Sequence, residues 1–117
     1  MIRVIQHNCA RSYEWTIAAQ ETGVERRADV VCLQEPPREG EGGGIRISHS
    51  AYEIRKRKRL WTAIRRGSGL VGDERTDLSR GANEDVIATD VRRRGETITR
   101  IVSVYDQKNT HSGERPA

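Results

Sequence analysis

Two side chains of this sequence stand where chemistry is possible. Asn8 follows a short β-branched run, Ile2-Arg-Val-Ile-Gln6, and Glu35 follows the most apolar run, Asp29-Val-Val-Cys-Leu-Gln34. A carboxylate fixed at the end of a strand can hold Mg2+, which takes oxygen ligands and keeps several of its waters. A carboxamide beside it can orient a phosphate oxygen or a neighbouring acid. A plainer account competes with this one: Asn turns and Glu-Pro stops are ordinary ways to end a strand. On residue types alone the plainer account weighs more.

The elements around these two residues give them a reason to meet. Ile2–Gln6 reads as a strand. Ser12 can cap a helix whose first turn carries Glu14. The helix is expected to run through Trp15, Ile17, Ala18, Ala19 and Thr22 to about Arg27. Its inward face is expected to be Trp15, Ala18, Ala19 and Thr22, at the i, i+3, i+4, i+7 spacing, with Gly23 weakening the last turns. Asp29–Gln34 is the clearest strand, and its unbroken apolar run predicts burial on both faces. Pro36-Pro37 stops it. Strand, helix, strand at this spacing is a parallel βαβ unit. If the strands are neighbours, their carboxyl ends lie about 5 Å apart. That edge is where ligands of open α/β sheets bind.

The rest of the chain reads as a flexible glycine-rich loop over 38–44, then a hairpin from Ala51–Arg55 and Leu60–Arg65. A turn with a short strand is expected within Gly67–Gly72, and a polar loop over 73–83. A second hairpin is expected from Asp85–Arg92 and Thr97–Tyr105, turning near Arg94-Gly95. A polar tail ends the chain. Gly40 and Gly42–Gly44 form no phosphate loop, because no Gly-Lys-Ser/Thr follows.

The residues Gln6-His-Asn8-Cys-Ala-Arg-Ser12, the helix after them and Asp29-Val-Val-Cys-Leu-Gln-Glu35-Pro36-Pro37 resemble the endonuclease/exonuclease/phosphatase (DNase I-like) superfamily. The likeness is greatest to the endonuclease domains of non-LTR retrotransposon polyproteins. Ile101-Val-Ser-Val-Tyr105 resembles the strand that ends in the family's active-site tyrosine. The resemblance runs from Ile2 to about Asp106. It implies that residues 1–117 are the N-terminal half of a DNase I-like four-layer α/β sandwich, a mixed sheet with one main helix, and that this half supplies roughly one of the two sheets. It implies that Glu35 is a Mg2+ ligand, with Mn2+ as a substitute. Asn8 would order the metal and phosphate region, and Tyr105 would reach the scissile phosphate. The activity implied is Mg2+-dependent hydrolysis of DNA phosphodiesters, nicking a target site for retrotransposition. The metal neutralises charge developing on the phosphate. The sequence departs from the family in lacking the later Gly-Asp-Phe-Asn-like and Ser-Asp-His-like motifs. His7, His49 and His111 stand in no equivalent context. The chain alone is therefore expected to be inactive or nearly so. The alternatives are a non-catalytic basic nucleic-acid-binding module and an inert retroelement relic, whose half-sandwich would expose an apolar sheet face.

Composition agrees with a polyanionic partner. The net charge is +4, and arginine carries nearly all the positive charge, with lysine only at Lys56, Lys58 and Lys108. Guanidinium forks match phosphate oxygens. A bias towards arginine codons explains the same count equally well. Arg55-Lys-Arg-Lys-Arg59 is the densest basic run. A solvated hairpin turn is favoured for it over a nuclear-localisation or phosphate-binding strip. Trp15 and Trp61 are expected as core anchors, with base stacking the lesser reading. Cys9 and Cys32 are too few for a disulfide framework or a zinc site and are expected as buried free thiols. No signal peptide or membrane-spanning run is read, which gives an intracellular expectation, nuclear if the parent element is active.

Overall fold

The apolar run Val30–Gln34 forms the strand around which the other elements are arranged. The computed structural model describes residues 1–37, 48–57, 59–78 and 86–104. In chain order these hold β1 (Val4–Asn8), α1 (Tyr13–Glu25), β2 (Val30–Gln34), β3 (Tyr52–Lys56), β4 (Leu60–Arg65), β5 (Val71–Glu74), β6 (Val86–Arg92) and β7 (Thr99–Val104). The first four strands make a mixed sheet in the order β1-β2-β4-β3, and the last three an antiparallel sheet in the order β5-β6-β7. β1 and β2 pair in parallel, with Asn8 opposite Gln34. β4 runs antiparallel to both β2 and β3.

Alternation along β2 explains the layering. Val31 and Leu33 face α1 and share a buried cluster with Ala19, Tyr52, Trp61 and Ala63. Val30 and Cys32 face the other way and pack with Ile64, Val91 and Ile101. The second sheet therefore covers the face of the first sheet that α1 leaves open, giving a helix–sheet–sheet stack. Side chains such as Leu33 and Val31 are fully buried, and each contributes about 1.5–3 kcal/mol. Asp29 clamps the layers at the far end of β2. Its carboxylate accepts from the Arg3 backbone N–H at 3.0 Å and pairs with Arg93 at 2.9 Å. The Arg93 guanidinium also donates to the Ser68 carbonyl.

Several expectations need correction. The chain contributes strands to two sheets, not one, because the Val86–Val104 hairpin pairs with β5 and folds over the β2–β4 face. The first strand lies two residues further along than expected and ends on Asn8. Asp73 and Glu74 belong to β5, paired with Asp90 and Thr89, so the stretch from 73 is not all loop.

The inward face of α1 is Thr16, Ala19, Gln20 and Gly23, one residue round from the expected one. Trp15 is 57% exposed and is no core anchor, whereas Trp61 is 4% exposed and is one. The reason is a polar contact. Gln20 donates to the Thr16 carbonyl and accepts from the His49 N–H at 2.8 Å. Gly23 leaves room for Tyr52, whose hydroxyl donates to the Ala28 carbonyl at 2.8 Å. A helix that docks through satisfied polar groups need not turn its largest apolar side chain inward.

The two hairpins, the turn at Arg94-Gly95, the double-sided burial of β2 and the buried free state of Cys9 and Cys32 are as expected. The glycine-rich loop over 38–44 and the polar tail lie outside the described residues. No helix among the described residues is long and apolar enough to cross a membrane.

Candidate functional site

The parallel pairing of β1 and β2 brings Asn8 and Gln34 side by side at one sheet edge, with Glu35 next along the chain. The backbone beyond both strands is tied together. Cys9 N–H donates to the Gln34 carbonyl at 2.7 Å, and Arg11 N–H donates to the Glu35 carbonyl at 2.8 Å. Ala10, Arg11 and Glu35 all have positive φ, at 49°, 58° and 48°. Left-handed backbone at non-glycine residues is uncommon and survives only where its surroundings fix it. Here both crossing segments are strained and each holds the other.

Asn8 is exposed, and its side-chain carbonyl accepts from the Ala10 N–H at 2.8 Å. That closes an Asx turn and leaves the carboxamide NH2 to donate outward. Ser12 then caps α1, accepting from the Trp15 N–H at 3.2 Å. Glu35 is half-buried, and its own N–H donates to the Arg59 carbonyl at 2.9 Å. That bond brings the tip of the β3–β4 hairpin to the same edge. Of the described residues of the basic run, Lys56 and Arg57 are exposed at the hairpin, as expected, and the run also makes contacts within the fold. Arg55 donates to the Gly72 carbonyl, Arg57 pairs with Glu74, and Lys56 lies 5.0 Å from the centre of the Trp61 ring.

Gln34 donates to the Val104 carbonyl at 2.6 Å, so the end of β7 also reaches this edge. Tyr105, expected to follow it, lies outside the described residues. Arg11 is exposed, and its guanidinium makes no ion pair or hydrogen bond among the described residues. Its proximity to Glu35 was not legible, because it depends on the left-handed pair Ala10-Arg11.

Cys9 is buried beneath the edge. Desolvation pushes its thiol up, a hydrogen bond with Thr16 opposes this, and the negative charge of Glu35 adds to it. Burial also pushes the Cys32 thiol up, against a hydrogen bond with Ser103. Neither thiol is suited to act as a nucleophile near neutral pH.

No trio of His, Cys, Asp or Glu that could hold a metal ion occurs among the described residues. Among the described residues the edge offers one carboxylate, Glu35, and the carboxamide oxygens of Asn8, which also accepts from the Ala10 N–H, and of Gln34. This is an all-oxygen set with few charges. It fits Mg2+, which is commonly held by one or two carboxylates with waters and substrate phosphates as its remaining ligands, and it fits no thiolate- or imidazole-seeking metal.

Among solved structures, the chain is similar to the endonuclease domain of TRAS1, a telomere-specific non-LTR retrotransposon. The TM-score is 0.63 at 19% sequence identity, over 91% of this chain and 46% of that one. The chain therefore has the fold of that domain and spans about half its length. No family model matches the sequence, and no curated protein matches it.

Proposed function

We propose that this chain is part of a Mg2+-dependent phosphodiesterase that nicks DNA, with Glu35 as a metal ligand and Asn8 as a positioning residue. The observation that carries this reading is the strained, cross-bonded edge holding Glu35 and Asn8, on a chain with an endonuclease-domain fold. Strain of this kind concentrates at functional sites. A bound Mg2+ would neutralise charge on the phosphate oxygens. The chain's own residues supply the rest. The Asn8 NH2 is oriented to donate to a phosphate oxygen. The Arg11 guanidinium stands open to a second phosphate, and Lys56 adds charge from the hairpin tip. Tyr105, expected to approach the scissile phosphate, directly follows the anchored Val104.

Glu35 is the one acidic ligand at this edge among the described residues, and the chain alone is expected to nick DNA weakly or not at all. Its contribution is read in binding. Adding Mg2+ raises its affinity for a short DNA duplex several-fold over EDTA, and Glu35→Gln removes that gain. A plasmid-nicking assay run alongside gives little or no open circle. Mg2+-dependent binding that is unchanged by Glu35→Gln would count against Glu35 as the ligand. The hairpin tip and Arg11, unpaired among the described residues, also support a second reading, a basic module that binds phosphate without chemistry. In that case binding falls steeply with salt, ignores Mg2+, and tightens slightly in Glu35→Gln.

A further inference from the structure

Trp15 is the aromatic side chain most open to solvent among the described residues. It is held in place. Its backbone N–H donates to the Ser12 cap in the first turn of α1, and its indole lies 5.8 Å from the His7 ring, tilted by 33°. His7 sits on the edge strand β1, one residue before Asn8. The β1–α1 connection puts the start of α1 at the carboxyl edge of the sheet, so the two rings stand in sequence at either end of the segment that carries Asn8 and Arg11, whose guanidinium is unpaired among the described residues.

A preset aromatic pair on the same short segment as a guanidinium that is unpaired among the described residues matches one nucleotide unit, a base face and its phosphate. An apolar protein partner would want a wider apolar surround, and the exposed neighbours here are Ala10, Arg11, Glu14 and Ala18. We propose that Trp15 and His7 form a stacking platform for an unpaired nucleobase, in a DNA strand whose phosphates run past Arg11 towards Glu35. This rests on the phosphodiesterase reading and adds a substrate preference to it. Bases inside a duplex are stacked on one another and cannot reach the platform, so single-stranded or frayed DNA is preferred. The preference is tolerant of sequence, because every base has a π face.

The test measures binding in EDTA of an oligothymidine about 12 nucleotides long, within the usual single-strand site range, and of a hairpin duplex of equal length. Wild type, Trp15→Leu and Trp15→Phe are compared, with circular dichroism as the check on folding. Trp15→Leu is expected to weaken oligothymidine binding about tenfold, the factor that corresponds to 1.4 kcal/mol. Duplex affinity should stay within about twofold. Trp15→Phe recovers most of the loss, and wild-type tryptophan emission is quenched by oligothymidine. Equal single-strand affinity in wild type and Trp15→Leu overturns the platform, as does an equal loss on both DNAs. If duplex binding still responds to Mg2+ through Glu35, the phosphodiesterase reading survives that failure. If wild type binds neither DNA in EDTA or in Mg2+, both fall together.

Discussion

Ala10 holds its left-handed backbone without the side-chain hydrogen bonds that let Asn or Asp tolerate it. A left-handed L-residue costs roughly 1–2 kcal/mol. Glycine removes that cost but loses more backbone freedom on folding, by about 0.5–1 kcal/mol. Ala10→Gly is therefore expected to be neutral or to stabilise by up to about 1 kcal/mol. Ala10→Val, with its branched Cβ, should destabilise by at least about 1 kcal/mol. Urea denaturation midpoints of the two variants give the sign directly. If Val is tolerated as well as Gly, the turn is not strained in solution. The sequence put Asn8 and Glu35 after the two strands of a βαβ unit and left open whether those strands are neighbours; β1 and β2 are paired. It did not show that Arg11 arrives beside Glu35 or that Arg59 pins it. Those contacts depend on two reversals of φ and on a hairpin tip distant in sequence.

Among the elements, α1 shows most clearly why pattern reading failed. The expected face counted Trp15 and Ala18 as apolar and passed over Thr16, Gln20 and Gly23. Burial followed the polar partners available on the facing surface, His49 and Tyr52, which periodicity cannot register. Gly23 is the contact point. A Cβ there would lie 2.6 Å from the Tyr52 hydroxyl and 2.8 Å from Val31 Cγ2. Gly23→Ala should gain about 1 kcal/mol of helix propensity and lose more through overpacking, about 1–3 kcal/mol. A lower urea midpoint is the expected result, and a higher one would show that the helix can move outward at no cost. The second sheet was legible as hairpins, but its lacing was not. Asp90 on β6 accepts two bonds from Arg100 on β7 and one from Arg75 beyond β5. These hydrogen bonds, Arg100 first, hold the Asp90 carboxyl below the usual carboxylate range. A depressed value in the folded state means that the stabilisation is present above the ordinary carboxyl pKa, about 3.9. It is lost as pH falls through the lower, folded value. Asp90→Asn should thus be less stable than wild type at pH 7, with the gap closing as pH drops below about 4. A gap of constant size across that range would mean that the ion pairs contribute nothing.

At the scale of the whole molecule, the outer face of the second sheet carries exposed apolar side chains among the described residues. Alternation along β7 sends Ile101 and Ser103 into the core and leaves Val102 and Val104 52% and 48% exposed, and Val71 and Ile98 are also exposed. An exposed apolar sheet face was the expectation of the inert-relic alternative; the exposed apolar side chains of the described residues lie on the outer face of β5-β6-β7. The inner faces of both sheets are used up against each other. Among the described residues, Val102 and Val104 stand exposed on β7, which is the last strand of its sheet. That is a hazard, because edge strands with exposed apolar side chains pair with other copies. Val102 is the point of leverage. It lies opposite Ala88 in the register, pointing outward. Val102→Lys should leave the urea midpoint nearly unchanged, within about 0.5 kcal/mol, as surface substitutions usually do. It should also raise the monomer fraction at high protein concentration in sedimentation velocity and reduce binding of a hydrophobic dye. Equal self-association in wild type and Val102→Lys would show that this face is not the adhesive one.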